Sequence, residues 1–490
     1  MVSVKPIILW TDALLGLLIL SGLVFAWFVR RRRDLRAPWQ RVVQSKSGMA
    51  ALVILCLFLG IGLLDSIHFR PALQTVRSGN RVYGVEVLSL LDVAVGPLRQ
   101  RPEKTYSAPL ATHLYAKETL ELADGRQARS YPRLVFGGAH LTNPEKEKAA
   151  DIAFSVLGGL GLAVLLWSLA GSFWLWFLAR RHQVKVTTWF GLVFRGQTLV
   201  PWNFALLTGL ALLLLGVPAV LLSAKYHVLG TDKVGQDVLY LALKSIRTGL
   251  VIGTLTTLVL LPLAVLLGIM AGYFRGWIDD VIQYIYTTLN SIPSVLLIAA
   301  AVLMTQVYMD THPGLFETIN ARADFRLLFL CLILGMTSWT GLCRLLRGEA
   351  LKLREMEYIQ AAQAFGVSHF RIILRHILPN VMHIVLIAMV MDFSGLVLAE
   401  AVLSYVGVGV DPSMISFGTM INSARMEMAR EPMVWWSLAA AFSFMFLLVL
   451  SANLFADAVR DAFDPRVQVR SWGVRFFRMR PSEMGKEERS

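Results

Sequence analysis

The chain has 490 residues, of which 56% are hydrophobic and only 16% charged, with a mean hydropathy of +0.59. No single water-soluble core hides that much apolar side chain, which excludes an ordinary soluble globular class. The net charge of +14 does not indicate nucleic acid: an excess of Lys and Arg follows in a polytopic membrane protein from the positive-inside rule and from anionic lipid, and no basic stripe with interleaved aromatics lies outside the membrane flanks.

In chain order, apolar runs fall near 7–29, 49–66, 152–179, 203–223, 248–272, 283–305, 326–345, 380–404 and 434–458. Most have the roughly 20 residues a helix needs to cross a hydrocarbon core while satisfying its own backbone. The expected fold is an all-α polytopic membrane protein with about nine transmembrane helices. The first run does not have the form of a cleaved signal peptide, because its basic cluster follows the apolar stretch. Arg30, Arg31, Arg32, Arg33, Arg36, Arg41 and Lys46 crowd the first short loop, Arg180, Arg181, Lys185 and Arg195 a later one, and Arg466, Arg470, Arg475, Arg478 and Arg480 the tail. These are expected to face the cytoplasm. The N-terminus is then outside, the C-terminus inside and 346–378 cytoplasmic.

Segment 67–150 is expected to be an extracytoplasmic insertion with some β structure. In "KETLELADGRQARSYPRLVF" (117–136), Leu120 and Leu122 alternate with polar neighbours and Asp124-Gly125 supplies a tight turn, which predicts a β-hairpin. Roughly 80 residues make only a marginal core. The insertion is therefore expected to lean on the membrane helices or on a partner.

Few residues suggest chemistry. Cys56, Cys331 and Cys343 have no metal-ligand spacing and are expected to be buried as small apolar residues. The chain lacks a G-x-x-x-x-G-K-[ST] phosphate loop and an H-E-x-x-H pair, so neither ATP hydrolysis nor metal chemistry is expected of it. Among the ionisable residues in the apolar runs are Asp12, Asp392, Glu400 and Asp457. Such residues mark a translocation pathway or an interhelical bond. Both readings stay open for Glu400; Asp392 is a possible pathway residue, and Asp457 is expected at the interface.

The stretch "EYIQAAQAFGVSHFRIILRHILPN" (357–380) is polar and basic between two apolar runs. Helix formers dominate up to Phe365, Gly366 breaks the run, Ser368 is a candidate N-cap, and Phe370, Ile373, Leu374 and Ile377 recur at helical spacing. This predicts two short helices with a bend, with Pro379 in the first turn of the next span. From the residues alone it is equally an interfacial connector. His369 and His376 are expected at its surface.

"QAAQAFG" followed at the right distance by "LP" resembles the E-A-A loop of permease subunits in ATP-binding-cassette importers, with Gln360, Ala361, Ala362, Gly366, Leu378 and Pro379 at its positions. Gln360 stands where that pattern has Glu, and His376 where it has Ile. "LGTDKVGQDVLYLALKSIRTGLVIG" (229–253) resembles the extracytoplasmic segment of dipeptide and oligopeptide permeases of the C type, through Gly230, Thr231, Asp232, Gly235 and Asp237, with Gln236 in place of the usual Arg. From the residues alone, Thr231 or Asp232 could simply cap a helix. "GYFRGWIDD", "SIPSVLLIA", "EAVLSYVGVGV" and "DAVRDAFDP" continue the resemblance in order.

The resemblance implies a six-helix importer-type permease core at 201–466. It follows N-terminal transmembrane helices at 1–66, the insertion at 67–150, and an extra helix with a cytoplasmic linker at 151–200, and it precedes a basic tail at 467–490. It further implies a bacterial inner-membrane location, a second homologous permease, two ATPase subunits holding ATP and magnesium, an extracytoplasmic solute-binding protein, and contact with membrane lipid but not nucleic acid. No cofactor is expected on this chain. In that scheme the 357–379 loop couples to the ATPase, with an apolar face formed by Ala361, Ala362 and Phe365 or by Phe370 and Ile373 at the contact. The implied cargo is a di- or oligopeptide, with nickel or another solute as the alternative within the family. A proton-coupled transporter, or a membrane enzyme or assembly factor working through 67–150, are the alternatives outside it.

Overall fold

The computed structural model describes residues 4–31, 33–77, 80–84, 86–121, 127–181, 183, 185–315 and 318–463. A strand β1 (Val4–Ile7) leads into α1 (Trp10–Arg31), α2 (Arg33–Gln44) and α3 (Lys46–Asp65). The insertion follows as β2 (His68–Arg77), β3 (Asn80–Tyr83), β4 (Leu88–Ser89), α4 (Leu90–Ala94), α5 (Gly96–Arg99), β5 (Glu118–Glu121) and β6 (Gln127–Ser130). Next come α6 (Pro144–Arg181), α7 (Val186–Phe194), α8 (Trp202–Ser223), α9 (Val238–Phe274), α10 (Trp277–Ser291), α11 (Ser294–Thr311), α12 (Ile319–Ser338) and α13 (Thr340–Arg354). The chain then forms α14 (Glu357–Ala364), α15 (His369–Ile372), α16 (Leu378–Val406), α17 (Phe417–Met428) and α18 (Trp436–Phe463).

Each of the nine expected apolar runs falls on helix. Among the described residues, α3, α6, α8, α9, α11, the helix continuous from His369 to Val406, and α18 are long and apolar enough to cross a membrane; the pair α12–α13 makes an eighth, and α1 adds a shorter apolar stretch, Trp10–Val24. Two runs are not single helices. Pro293 holds Ile292 extended at ψ 129° and separates α10 from α11, as the ring of proline disfavours a helical residue before it. α12 and α13 meet at a 41° bend.

The central element is α9, packed against α3, α12, α13 and α16. It approaches α13 closely because Gly268 and Gly272 carry no Cβ, which would sit 2.8 Å from the Cys343 carbonyl oxygen and 2.5 Å from that of Arg347. The boundary expected at 201 places α8 in the core, but α8 packs on α6 and α3, with Gly159 of α6 seated against Pro218 of α8. The helix beside α9 and α18 is instead α3. Cys331 and Cys343 are buried as expected; Cys56 is exposed on α3.

The insertion leans on the helices. β1, β2 and β3 pair antiparallel, with β4 also on β2, so that the segment preceding α1 joins the insertion. β5 and β6 form the expected hairpin, with Leu120 opposite Ala128; its Asp124-Gly125 turn lies outside the described residues. Leu98 and Tyr106 of the insertion pack with Val238, Tyr240, Leu241 and Trp436 of α9 and α18. The bundle thus has an insertion end and, opposite, a loop end where 355–377 lies.

Candidate functional site

At the insertion end, the segment 229–237 is a socket rather than a simple helix start. Asp237 is the N-cap of α9, accepting the Leu239 and Tyr240 N–H groups at 2.8 and 3.4 Å, so neither Thr231 nor Asp232 caps this helix. Thr231 is fully buried: its hydroxyl accepts the Ser107 N–H at 2.6 Å and donates to the Thr105 carbonyl at 2.8 Å. Asp232 closes the turn between them, accepting the N–H groups of Val234 and Gln236. Gly230 and Gly235 both have positive φ, and a Cβ on Gly235 would fall 1.8 Å from the Glu103 carbonyl oxygen, which leaves room for glycine alone.

Glu103 and His227 complete this socket. The Glu103 carboxylate accepts the N–H groups of Val135, Phe136 and Gly137 at 2.8–3.0 Å. His227 bonds Asp237 at 2.8 Å through Nδ1 and faces Glu103 at 3.5 Å through Nε2. Burial opposes both charges. The hydrogen bond to Asp237 and the facing Glu103 carboxylate overcome it and push the His227 pKa up to about 9, while His227 and the three N–H groups hold Glu103 down at about 2. A buried charge is retained when it is paired in this way.

Beside this socket, Asp12 of α1 bonds His68 at 2.7 Å and Arg247 of α9 at 2.5 Å. Lys244 holds Asp65 at 3.1 Å and Asp92 at 2.9 Å, and Thr11 bonds Asp324 through both its N–H and its hydroxyl. Asp65, His68, Lys244, Arg247 and Asp324 line a cavity of 170 Å³. Asp12 is therefore an interelement clamp. Arg247 as its partner was missed in the sequence, where Lys244 and Arg247, two basic residues three apart at the head of an apolar run, were the available signal.

Glu400 is buried and accepts the Ser404 and Ser416 hydroxyls at 2.7 and 2.8 Å. That geometry ties α16 to the N-terminus of α17 and favours the interhelical reading over the pathway one. Asp392, mid-way along α16, has no hydrogen-bond or ion-pair partner among the described residues. Asp457 is exposed on α18. Among the described residues, no group of three His, Cys, Asp or Glu could hold a metal ion.

At the loop end, α14 closes with the Gly366 N–H on the Gln363 carbonyl (2.9 Å) and the Val367 N–H on the Ala362 carbonyl (3.0 Å). Gly366 itself sits at φ +71° with open space around it. This is the left-handed helix stop that glycine favours. Ser368 occupies the next N-cap position but makes no side-chain cap bond. The second short helix is not separate from the membrane span: α15 passes through a π turn at Ile373–Ile377 into α16. Leu378 and Pro379 therefore lie within one rod from His369 to Val406, and the wider turn before Pro379 accommodates a residue without an N–H.

The loop is held from beneath. Ile359, Ile372 and Ile377 are fully buried in a cluster with Tyr273, Leu346 and Ala350, and Ala362 and Ile373 pack partly against it. Tyr273 bonds His369 at 2.8 Å, and Gln363 donates to the Tyr273 hydroxyl at 3.3 Å. Arg347 grips Asp279 through two bonds of 2.6 and 2.7 Å, and Arg275 pairs with Glu355. The two faces proposed from the sequence are thereby divided. Ala361 points outward with Phe365 (88% exposed) and Phe370 (74% exposed), whereas Ala362 and Ile373 turn inward. Gln360 is exposed and donates to the Glu355 carbonyl at 3.3 Å. His376 is half-buried against Tyr358.

The model of the family described as binding-protein-dependent transport system inner membrane component matches residues 264–469. The chain is 32% identical over 249 residues to an oligopeptide transport system permease protein of Mycobacterium tuberculosis, an alignment covering 51% of this chain and 79% of that protein. It is 33% identical over 244 residues to a glutathione transport system permease protein of Pectobacterium atrosepticum, covering 49% and 73%. A dipeptide transport system permease protein of Bacillus subtilis is 31% identical over 242 residues, covering 49% and 69%.

Proposed function

This chain belongs to the family of binding-protein-dependent transport system inner membrane components, and from that premise we propose that it forms half of the translocation path of an ATP-driven importer for di- or oligopeptides. Partner ATPase subunits, with ATP and magnesium, drive it from the cytoplasmic side, and a solute-binding protein delivers cargo at the insertion end.

The observation that carries this reading is the division of the loop at 357–377: three isoleucines lock it to the core while Phe365 and Phe370 stand in solvent at the loop end. Aromatic side chains left uncovered outside the apolar spans fit a protein partner. Because α15 continues into α16 as one rod, a displacement at that contact is carried into the membrane. Pairing with a second permease is supported by the break at Ile292–Pro293, where Thr287, Thr288, Asn290, Ser291 and Ser294 are all exposed. Asn290 accepts from Thr340, and Gly268 packs on Cys343 further along α13 toward the loop end. The break therefore lies inside the bundle's length, where irregular backbone is stable only against protein or water.

Uptake of a labelled dipeptide into vesicles is the test. With the second permease, the ATPase and binding protein present, ATP-dependent uptake is expected. Asp392, without a partner among the described residues, favours the alternative of proton-coupled transport. Uptake by this chain alone, driven by a pH gradient without ATP and lost in Asp392→Asn, would establish that reading instead.

A further inference from the structure

Away from the loop, α1, α2 and the segment before α8 form a groove of about 660 Å³ lined by Ala26, Arg30, Arg36, Trp39, Val43 and Leu199 among others. We propose that this groove binds one anionic phospholipid of the leaflet at the loop end, its acyl chain along the apolar wall and its phosphate between Arg30 and Arg36.

The position, the wall and the charge each point to that occupant. α1 ends in Arg30 and Arg31 after its apolar turns, and Trp39 of α2 packs edge-on against Phe463, the last described residue of α18, with ring centroids 5.5 Å apart. The groove therefore opens where the bundle leaves the hydrocarbon, at the level where tryptophan and arginine gather. Ala26 and Val43 contribute methyl groups, and Leu199 is 85% exposed, with little cover from the described residues. An acyl chain removes that surface from water. Among the described residues the lining holds two arginines and no carboxylate, and neither Arg30 nor Arg36 has a hydrogen-bond or ion-pair partner there. Two guanidiniums without a partner among the described residues, beside an apolar slot, match a phosphodiester, which accepts paired N–H bonds from each. The proposal concerns helices outside the matched region 264–469 and does not depend on the cargo.

Native mass spectrometry of the full-length chain, purified with its subunits, tests it with phosphatidylglycerol and phosphatidylcholine as probes. Retention of phosphatidylglycerol is expected to exceed that of phosphatidylcholine at least fivefold, and the Arg30→Gln/Arg36→Gln variant is expected to abolish the difference. Both arginines are exposed, so the variant keeps its fold; Arg180→Gln/Arg181→Gln, at the end of α6, is the matched control and should retain the preference. Equal retention of the two lipids by the unaltered chain, or an undiminished preference in the double variant, overturns the proposal. A photo-crosslinker at Val43 is expected to capture lipid. Capture of a protein there, or displacement of the lipid by soluble glycerol phosphate, also overturns it.

Discussion

The two ends of the bundle use glycine in opposite ways. At the insertion end Gly235 lies under the Glu103 backbone, with φ +80° and no room for a methyl group; at the loop end Gly366 has φ +71° and nothing within 4 Å of where a Cβ would be. One glycine permits a contact already made within the chain, the other only a turn. The same contrast runs through their neighbours. Thr231, Asp237, Glu103 and His227 are buried and bonded to one another or to nearby backbone, whereas Phe365 and Phe370 project from a loop whose underside alone is packed. A surface that its own chain has closed serves stability, and one left apolar and open needs something else to cover it.

Substitutions ranked by expected loss of stability sharpen this contrast. Gly235→Ala places a methyl group on the Glu103 carbonyl in a left-handed conformation and should cost about 3 kcal/mol or more. Undocking should show as protease cleavage within 67–150 and a lower melting temperature of the solubilised protein. An unchanged melting temperature and resistance to cleavage would mean that the insertion is not held there.

The charge pair in the same socket makes its stability depend on pH. His227, raised to about 9 from an ordinary 6.5, contributes fully below 6.5 and loses its contribution as pH rises through about 9. Glu103, lowered to about 2 from 4.5, contributes fully above 4.5 and loses it as pH falls through about 2. Docking should therefore be firmest between about pH 4.5 and 6.5. On the alkaline side the loss should be on the order of 1–3 kcal/mol by pH 9.5. In His227→Gln the alkaline slope should vanish; a slope that persists would assign it to another group.

Gly366→Val strains the backbone without a clash and should cost about 1–3 kcal/mol, confined to the loop. Gly366→Asn should remain close to the unaltered chain, since asparagine tolerates the left-handed region. ATPase attachment and uptake should fall in the valine variant and persist in the asparagine one. Equal loss in both would point to close approach of a partner rather than to backbone conformation.

The legibility of these features follows from the range of the forces involved. The nine apolar runs stood out because hydrocarbon demands about 20 apolar residues wherever a helix crosses it. Gly366 stood out because a helix stop is local. By contrast, Gly235 was visible only as part of a pattern: its need is set by Glu103, more than a hundred residues earlier in a segment without periodicity. The cap that Thr231 or Asp232 could have made is made by Asp237, because those two residues close the socket itself. In the loop, spacing selected Phe370, Ile373, Leu374 and Ile377 as one face, yet Ile377 is buried and Phe370 exposed. The π turn at Ile373–Ile377 resets the helical phase, and nothing in the residue types announces it except Pro379.

The smallest expected loss of stability belongs to the residues expected to matter most for transport. Phe365→Ser and Phe370→Ser remove rings that are 88% and 74% exposed, so each should change stability by no more than about 0.5 kcal/mol. If these rings are the contact with an ATPase, each is an anchor of the kind worth about 2 kcal/mol on truncation, and losing both should weaken attachment roughly 100-fold or more. The double variant should then insert, melt and keep its docked insertion as the unaltered chain does, while losing the co-purifying ATPase and ATP-driven uptake. Ile372→Ala supplies the opposite pattern, because a fully buried side chain in the cluster beneath the loop should cost about 2–5 kcal/mol and lower the melting temperature together with uptake. Normal attachment and uptake in the double phenylalanine variant would move the coupling surface elsewhere, and a fall in its melting temperature as large as that of Ile372→Ala would show that the open face of the loop is covered by this chain after all.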